Sequence, residues 1–488
     1  MPVTNPSRLL ISAAHKSSGK TTVAIGLAAA LAARGLAVQP FKKGPDYIDP
    51  MWLARASGRP CFNLDPYLMS DAEIAASFER HAADADIAIV EGNKGLYDGL
   101  ALDGSNSNAA LARNLNLPVV LVIDARGMTR GIAPLILGYQ AFDREVRIAG
   151  VILNRLGGHR HESKLRAVIE HYTDVAVLGA IHHDAALEIA ERHLGLIPSN
   201  EHADAGARIT RIRTAIENQV DLDKLLAVAR TVPTSTYDAA LAPSPLPRGE
   251  GTLVRLGVAG DAAFGFYYPG DLEGLQRAGA ELIGVDTLRD RHLPALDGLF
   301  IGGGFPETWM EALEANQTLR ADIRAAIETG LPVYAECGGL MYLARSLTWR
   351  GRRCAMVGAL PGDVVMHDRP QGRGYVMLEE TGSGPWPHGA AAPIPAHEFH
   401  YSRLENLELH APLRFAYRVL RGTGIDGTHD GLVYKNLLAC YSHLRDAGQH
   451  RWTARFVEFV RACKRSTQGQ AAHSGMQRST PATGGARS

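Results

Sequence analysis

Apolar residues in the first half of the chain come in short, nearly unbroken runs separated by longer stretches of mixed polarity. Leu9–Ile11, Leu36–Phe41, Ile87–Val90, Pro118–Ile123, Ile148–Leu153 and Val175–Ile181 are the clearest. None shows the strict alternation of a sheet wetted on one face, so each reads as a strand buried on both sides. Helical segments lie between them. The plainest, Val23 to Arg34, is rich in Ala and Leu and stops at Gly35, a residue suited to the left-handed turn past a helix end. Continuous apolar strands alternating with helices predict a parallel sheet covered on both faces. Such a sheet binds ligands beyond the carboxyl ends of its strands.

A polar helical stretch, about 209–230, closes this pattern. Residues 231–251 contain Pro233, Pro243, Pro245 and Pro247 and have no periodicity, the composition of a linker. A second α/β pattern then starts at Leu253, with strands expected at 253–259, Glu281–Val285, Gly298–Ile301 and Pro332–Ala335. From Lys464 onward Ser, Gly, Gln, Thr and Ala dominate without apolar periodicity, and disorder is expected. The expected division is a first domain at 1–230, a linker at 231–251, a second domain at 252–463 and a disordered tail at 464–488.

The polar turns at the strand ends carry the candidate chemistry. Leu9 to Thr22 runs strand, small polar turn, helix, the order that a phosphate-binding loop requires. Backbone N–H groups from Gly19 through Thr22 would face the phosphates of a nucleotide. Lys20 supplies a point charge to the same oxygens, and the Thr21 hydroxyl is placed for Mg²⁺. Ala14 stands where the first glycine of such a loop normally sits. Asp46 and Asp49 follow the second strand. Glu91 opens the loop after the third, which also holds Asp98, and acidic residues facing a phosphate loop suit a nucleotide-bound Mg²⁺. Asn154, after the strand ending at Leu153, is placed to hydrogen-bond a base.

In the second pattern, Pro332–Ala335 runs straight into Glu336-Cys337-Gly338-Gly339. A strand, a sharp turn with a nucleophile among small residues, then a helix is an elbow that exposes a reactive side chain. A thiolate there gains from the helix N-terminus. Gly303 and Gly304 follow another strand end, and their N–H groups with that of Gly338 would form an oxyanion hole. A cysteine nucleophile needs a base, and His443, His397 and His400 are the candidates; spacing alone does not choose among them.

Composition narrows the classes. A chain of 488 residues suits two to four domains. Its 51 basic residues equal its 51 acidic ones, so no net field draws it to nucleic acid or anionic membranes. No apolar run reaches the ~18 residues of a membrane span, and the N-terminus lacks the apolar core of a signal peptide. Five cysteines show no paired spacing, which argues against a disulfide framework or zinc site. A cytoplasmic enzyme is expected.

Taken together, the motifs resemble the cobyrinic acid a,c-diamide synthase family. They are Ser18–Thr22, Lys43-Gly44-Pro45-Asp46-Tyr47-Ile48-Asp49-Pro50, Glu91-Gly92 with Leu96–Gly99, Gly150–Arg155, Gly302–Glu307, Cys337–Tyr342 and His397–Ser402, spanning roughly residues 8–446. The resemblance implies two α/β domains, a dethiobiotin-synthetase-like P-loop parallel sheet followed by a type 1 glutamine amidotransferase domain. It implies a carbon–nitrogen ligase in which ATP phosphorylates a tetrapyrrole carboxylate and ammonia from L-glutamine displaces the phosphate. The a and c acetates of a corrinoid would be amidated in turn, with ATP and Mg²⁺ as cofactors.

By the same resemblance Thr21 and Glu91 are Mg²⁺ ligands, with Asp46 near the metal and the triphosphate. Lys43 counts with the nucleotide-binding positions, and Asp49 and Asp98 lie at the acyl-phosphate site. It also selects His443 as the base, leaving His397 and His400 near the tetrapyrrole. Two departures stand out. Many type 1 amidotransferases carry an orienting Glu two residues after the histidine, where this chain has Arg445. The family generally lacks that acid, so another group orients His443, a backbone carbonyl being one candidate, and the sequence does not name it. Corrin-amidating members read His-Leu-His where this chain reads His443-Leu444-Arg445, which keeps sirohaem open as an alternative substrate. A P-loop regulatory or partitioning ATPase is the alternative outside this chemistry, weakened by His15 at the position of its signature lysine. A homodimer is left open.

Overall fold

The computed structural model describes residues 6–192, 195–202, 204–230, 253–387, 389, 392–408 and 414–477. The expected linker at 231–251 and the end of the tail, 478–488, lie outside the described residues. The chain forms two compact units, 1–244 with 268–270, and 245–267 with 271–488.

The first unit is built on seven strands: β1 (Ser7–Ala13), β2 (Val38–Lys43), β3 (Phe62–Leu64), β4 (Ile87–Glu91), β5 (Val119–Asp124), β6 (Ile148–Leu156) and β7 (Val177–His182). They are all parallel, in the order β3-β2-β4-β1-β5-β6-β7. Successive residues Leu9, Leu10 and Ile11 are all fully buried. Neighbours on a strand face opposite ways, so both faces of the sheet are covered. Strands β1, β2 and β4 lie side by side, which brings their carboxyl-end loops together.

Helix α1 (Lys20–Ala33) leaves β1 through the polar turn and ends with Gly35 at φ 84°. Helix α2 (Ile48–Ser57) follows β2. The polar stretch expected near 209–230 is two helices, α3 (Ala205–Gln219) and α4 (Leu222–Arg230). Between them Val220 makes an antiparallel bridge to Gly179, and Asp221 accepts a bond from Lys224 N that starts the second helix. Helix α3 packs Ile212 and Ile216 onto Gly26 of α1, so closely that a Cβ there would lie 2.4 Å from Ile216. Burying each of these side chains contributes roughly 1.5–3 kcal/mol.

The main sheet of the second unit has nine strands: β8 (Val254–Ala259), β9 (Ala280–Val285), β10 (Gly298–Ile301), β11 (Val333–Glu336), β12 (Gly372–Glu380), β13 (Ile394–His400), β14 (Arg414–Arg421), β15 (His429–Tyr434) and β16 (Leu437–Cys440). Their order is β9-β8-β10-β11-β16-β15-β14-β12-β13. The first five are parallel and the rest antiparallel. The antiparallel half lacks the apolar runs of the parallel half. Strand β13, for example, alternates buried and half-buried residues, the signature of a sheet with one covered face.

Helix α5 (Gly338–Leu343) follows β11. Helix α6 (Trp452–Gln477) packs Trp452, Phe456, Val457 and Val460 into the core. It corrects the expected tail, because 464–477 continues the helix. The buried first turns nucleate it, and each further residue then adds a hydrogen bond at low cost. Lys464 Nζ also bonds Asp297 Oδ2 and the Leu253 carbonyl, which holds the segment in place.

Candidate functional site

Two constellations form, one in each unit. In the first, the turn between β1 and α1 is held in an unusual backbone conformation, with Ser17 at φ 66° and Gly19 at φ 84°. Gly19 has no substitute: a Cβ there would lie 2.1 Å from the Asn154 amide nitrogen. Asn154 Nδ2 donates to the Ser18 carbonyl at 2.9 Å, and Arg155 donates to the Ser17 carbonyl at 2.7 Å while pairing with Asp124. Asn154, expected to meet a base, thus braces the loop. It also lines a small cleft with Gly19, Thr22, Arg155, His182 and Asp184. Ala14, unlike Ser17 and Gly19, is not at positive φ. That backbone position needs no glycine, which accounts for the departure in the motif.

Lys20 Nζ lies 3.1 Å from Glu91 Oε1, and the Thr21 hydroxyl donates to the same oxygen at 2.6 Å. Asp49 Oδ2 is 3.2 Å from Thr21 Oγ1. Lys42, which sequence reasoning missed, is buried beneath them, 2.5 Å from Asp49 Oδ2 and 3.2 Å from Glu91 Oε2. Burial works against its charge, but Asp49, Glu91 and Asp46 outweigh that and hold Lys42 firmly protonated. Asp49 is held below the usual carboxylate range: burial opposes, and Lys42 and then Lys20 prevail. Asp46 moves the other way, pushed up by desolvation and by the Asp49 charge. Its Oδ1 accepts from the Ile48 and Asp49 N–H groups and starts α2.

Three carboxylates (Asp46, Asp49, Glu91) therefore face two ammonium groups (Lys20, Lys42). The oxygen donors of Thr21, Glu91 and Asp49 suit a hard divalent cation. Asp98 accepts from its own loop at Gly95 N, 2.9 Å away. Lys43 Nζ donates to Asn93 Oδ1, and burial, aided by the Lys42 and Lys94 charges, lowers its pKa to about 8. Another group among the described residues, His159, Glu162 and His182, also brings ligand atoms together. Its Glu162 is already shared by Arg166 and His182.

In the second unit Cys337 sits at the junction of β11 and α5 with φ 48° and ψ −99°, a conformation that a non-glycine residue rarely adopts. Backbone strain of this kind is retained where function demands it. The turn is pinned by Cys337 N donating to the Cys440 carbonyl at 2.7 Å. The glycine loop after β10 lies directly against it: a Cβ on Gly338 would stand 3.0 Å from Gly304 N, and one on Gly303 would stand 2.7 Å from His443 Cε1. Gly303, Gly304, Gly338, Cys337 and His443 thus share one small volume.

His443 is buried and hydrogen-bonded to Cys337. Its Nδ1 lies 3.3 Å from Glu336 Oε2, so a carboxylate faces it, a partner the sequence left unnamed. Burial works against the imidazolium, yet the bonds to Cys337 and Glu336 raise the His443 pKa to about 10. The other two histidines differ from it. His397 exchanges backbone bonds with His443 rather than standing apart, and burial followed by the His443 charge lowers its pKa to about 3. His400 stacks on Tyr441 at 3.9 Å.

Arg445, two residues past His443, is turned away and buried against Asp271. Trp452 Nε1 donates to the second oxygen of that carboxylate at 3.0 Å. Arg445→Ala would leave Asp271 buried without its cation. A loss of about 3–5 kcal/mol is expected, read as a lower denaturant midpoint for the full chain; an unchanged midpoint would show that the pair is energetically idle.

A CobB/CobQ-like glutamine amidotransferase domain matches residues 255–449 and an AAA domain matches residues 7–191. Cobyrinate a,c-diamide synthase of Magnetococcus marinus is 48% identical over 464 residues, 94% of this chain and 98% of that protein. The Methanosarcina acetivorans protein of the same name is 41% identical over 92% of this chain and 95% of its own length. Among solved structures, a chain of PurLQS from Thermotoga maritima is 16% identical, covering 43% of this chain and 98% of that one with a TM-score of 0.33.

Proposed function

The chain belongs to the cobyrinate a,c-diamide synthase family, and on that premise we propose that it amidates the a and c acetates of cobyrinate in cobalamin biosynthesis. One observation carries the mechanism. A strained, histidine-paired cysteine and a lysine-bearing phosphate loop lie on the same chain, each in its own unit. The second unit releases ammonia from glutamine, and the first activates the acceptor carboxylate with ATP.

At the elbow, the Cys337 thiolate, whose proton His443 already holds, attacks the glutamine carboxamide, and His443 passes that proton to the departing ammonia. The N–H groups of Gly303, Gly304 and Gly338 are the donors proposed for the oxyanion that develops there. Water then hydrolyses the thioester. In the first unit Lys20 and the backbone of Gly19–Thr22 hold the β- and γ-phosphates while the substrate carboxylate attacks the γ-phosphorus. Ammonia displaces phosphate from the acyl phosphate, so each amide consumes one ATP and one glutamine. Thr21, Glu91 and Asp49 are the residues that would hold Mg²⁺, with Asp46 outside them, and the ion when bound would neutralise charge on the phosphate oxygens. Such an enzyme draws its ATP and glutamine from the cytoplasm.

The test is incubation with cobyrinate, ATP, Mg²⁺ and glutamine, followed by product masses. Monoamide and then diamide are expected. Amidation of sirohaem with cobyrinate untouched would overturn the substrate.

Asp49 and Asp98 are expected to separate. Asp49→Asn should weaken binding of a nucleotide analogue chiefly when Mg²⁺ is present, because Asp49 stands beside Thr21 and Glu91. Asp98→Asn should leave that affinity intact and slow amidation, since its carboxylate orders the Gly95 turn. Titrations with and without Mg²⁺ decide it, and equal losses in both variants would place the two carboxylates in one role.

A further inference from the structure

Strand β11 ends at Glu336, whose carboxylate is almost completely buried. Along a regular strand, adjacent side chains face opposite ways, and residues two apart share a face. Tyr334 and Glu336 obey this, and the Tyr334 hydroxyl donates to Glu336 Oε1 at 2.5 Å. The turn at Cys337 breaks the alternation, and so Glu336 and Cys337 both reach His443 although they are neighbours in sequence. The same Oε1 accepts from Leu444 N at 2.9 Å, which ties the backbone just past the histidine. From the other side, Asp430 accepts from Tyr441 N and Ser442 N and fixes the approach to it. Every bond of the Glu336 carboxylate therefore goes either to His443 and its following residue or to a tyrosine holding the carboxylate itself.

We propose that Glu336 is the positioning acid of the glutaminase, presenting His443 with Nε2 toward Cys337 and stabilising the imidazolium that forms. The acid is thus delivered by the residue before the nucleophile, not by the position two past the histidine, where Arg445 serves Asp271. A neutral His443 must carry its proton on Nδ1 to leave Nε2 as base, and a carboxylate opposite Nδ1 enforces that tautomer. Among the described residues, Cys337, Glu336 and His397 are charged or titratable groups facing His443, and Glu336 places its carboxylate opposite Nδ1. The proposal rests on the reading of the second unit as a glutaminase.

Glu336→Gln in the full chain is the test. The amide keeps the shape but can turn an N–H toward Nδ1 and favour the wrong tautomer. A fall in glutaminase kcat of about 10²–10⁴-fold is expected, with KM for glutamine within about threefold and ammonium-driven amidation of cobyrinate unchanged. Tyr334→Phe, which removes only one support of the carboxylate, should lower kcat by less than about tenfold. A kcat retained in Glu336→Gln would overturn the proposal while leaving the glutaminase reading intact. A parallel fall in ammonium-driven amidation would make Glu336 a structural residue instead. Full glutamine-dependent amidation in Cys337→Ala would remove the underlying reading and this proposal with it.

Discussion

Cys337→Ala is expected to abolish amidation from glutamine and to leave amidation from high concentrations of ammonium in place. The thiol is the atom that takes the glutamyl group, and burial raises the pKa of each of the other four cysteines, Cys61, Cys354, Cys440 and Cys463. Loss of a nucleophile costs on the order of 10⁶-fold where a hydrolase depends on it. Alanine suits the site sterically, since its Cβ stands where that of cysteine stood and the strain at φ 48° is unchanged. The variant should therefore fold, and ammonium from solvent should still reach the acyl phosphate. Amide formation is measured with glutamine and with ammonium chloride in parallel. Full activity with glutamine would reduce the elbow to a structural turn.

The complementary expectation is that Lys20→Ala fails with both nitrogen sources. Lys20 begins α1 and lies against Glu91, where the phosphate loop needs its charge. Without it, the negative charge that spreads over the γ-phosphate in the transition state loses its nearest cation. Removing one such preorganised group costs about 3–4 kcal/mol, or roughly 10²–10³-fold in rate. A second effect adds to this: Asp49 and Glu91 are left with only Lys42 between them, so the pocket becomes more repulsive to a triphosphate. Ammonium-driven turnover is the decisive measurement, because it bypasses the glutaminase. Near-normal turnover would exclude the loop from the chemistry. Together the two variants divide the reaction, one losing only the nitrogen donor and the other losing acceptor activation.

What could be read from the sequence was whatever the chain encodes contiguously. The loop from Ser18 to Thr22, the acidic strand ends and the Cys337 elbow are each a few adjacent residues whose geometry follows from local backbone preferences. The parallel strands were legible because both of their faces are buried. Lys42 and Glu336 were not legible, since what each does depends on a partner remote in sequence: Lys42 joins nearby Asp49 to distant Glu91, and Glu336 meets His443. Arg445 was read as a missing acid, whereas its partner Asp271 lies far upstream and no local signal connects them. The helix past Lys464 escaped for a related reason. Its start is set by the packing of Trp452 and Phe456, and a composition without apolar spacing gave no sign of that.

The bracing of the phosphate loop by Asn154 and Arg155 also has a thermodynamic side. Ser17 and Arg155 are both held at positive φ, 66° and 60°, and each such residue costs of order 1 kcal/mol or more. Folding bears that cost and the loss of loop entropy before any nucleotide arrives. Binding is then free of an ordering penalty, and the affinity reports the contacts themselves. The free protein is correspondingly less stable than its sheet alone would make it. Nucleotide binds the folded state alone and shifts the folding equilibrium by mass action. The melting temperature of the first unit should therefore climb with ATP concentration, so that the enzyme's lifetime in the cell is coupled to its energy supply.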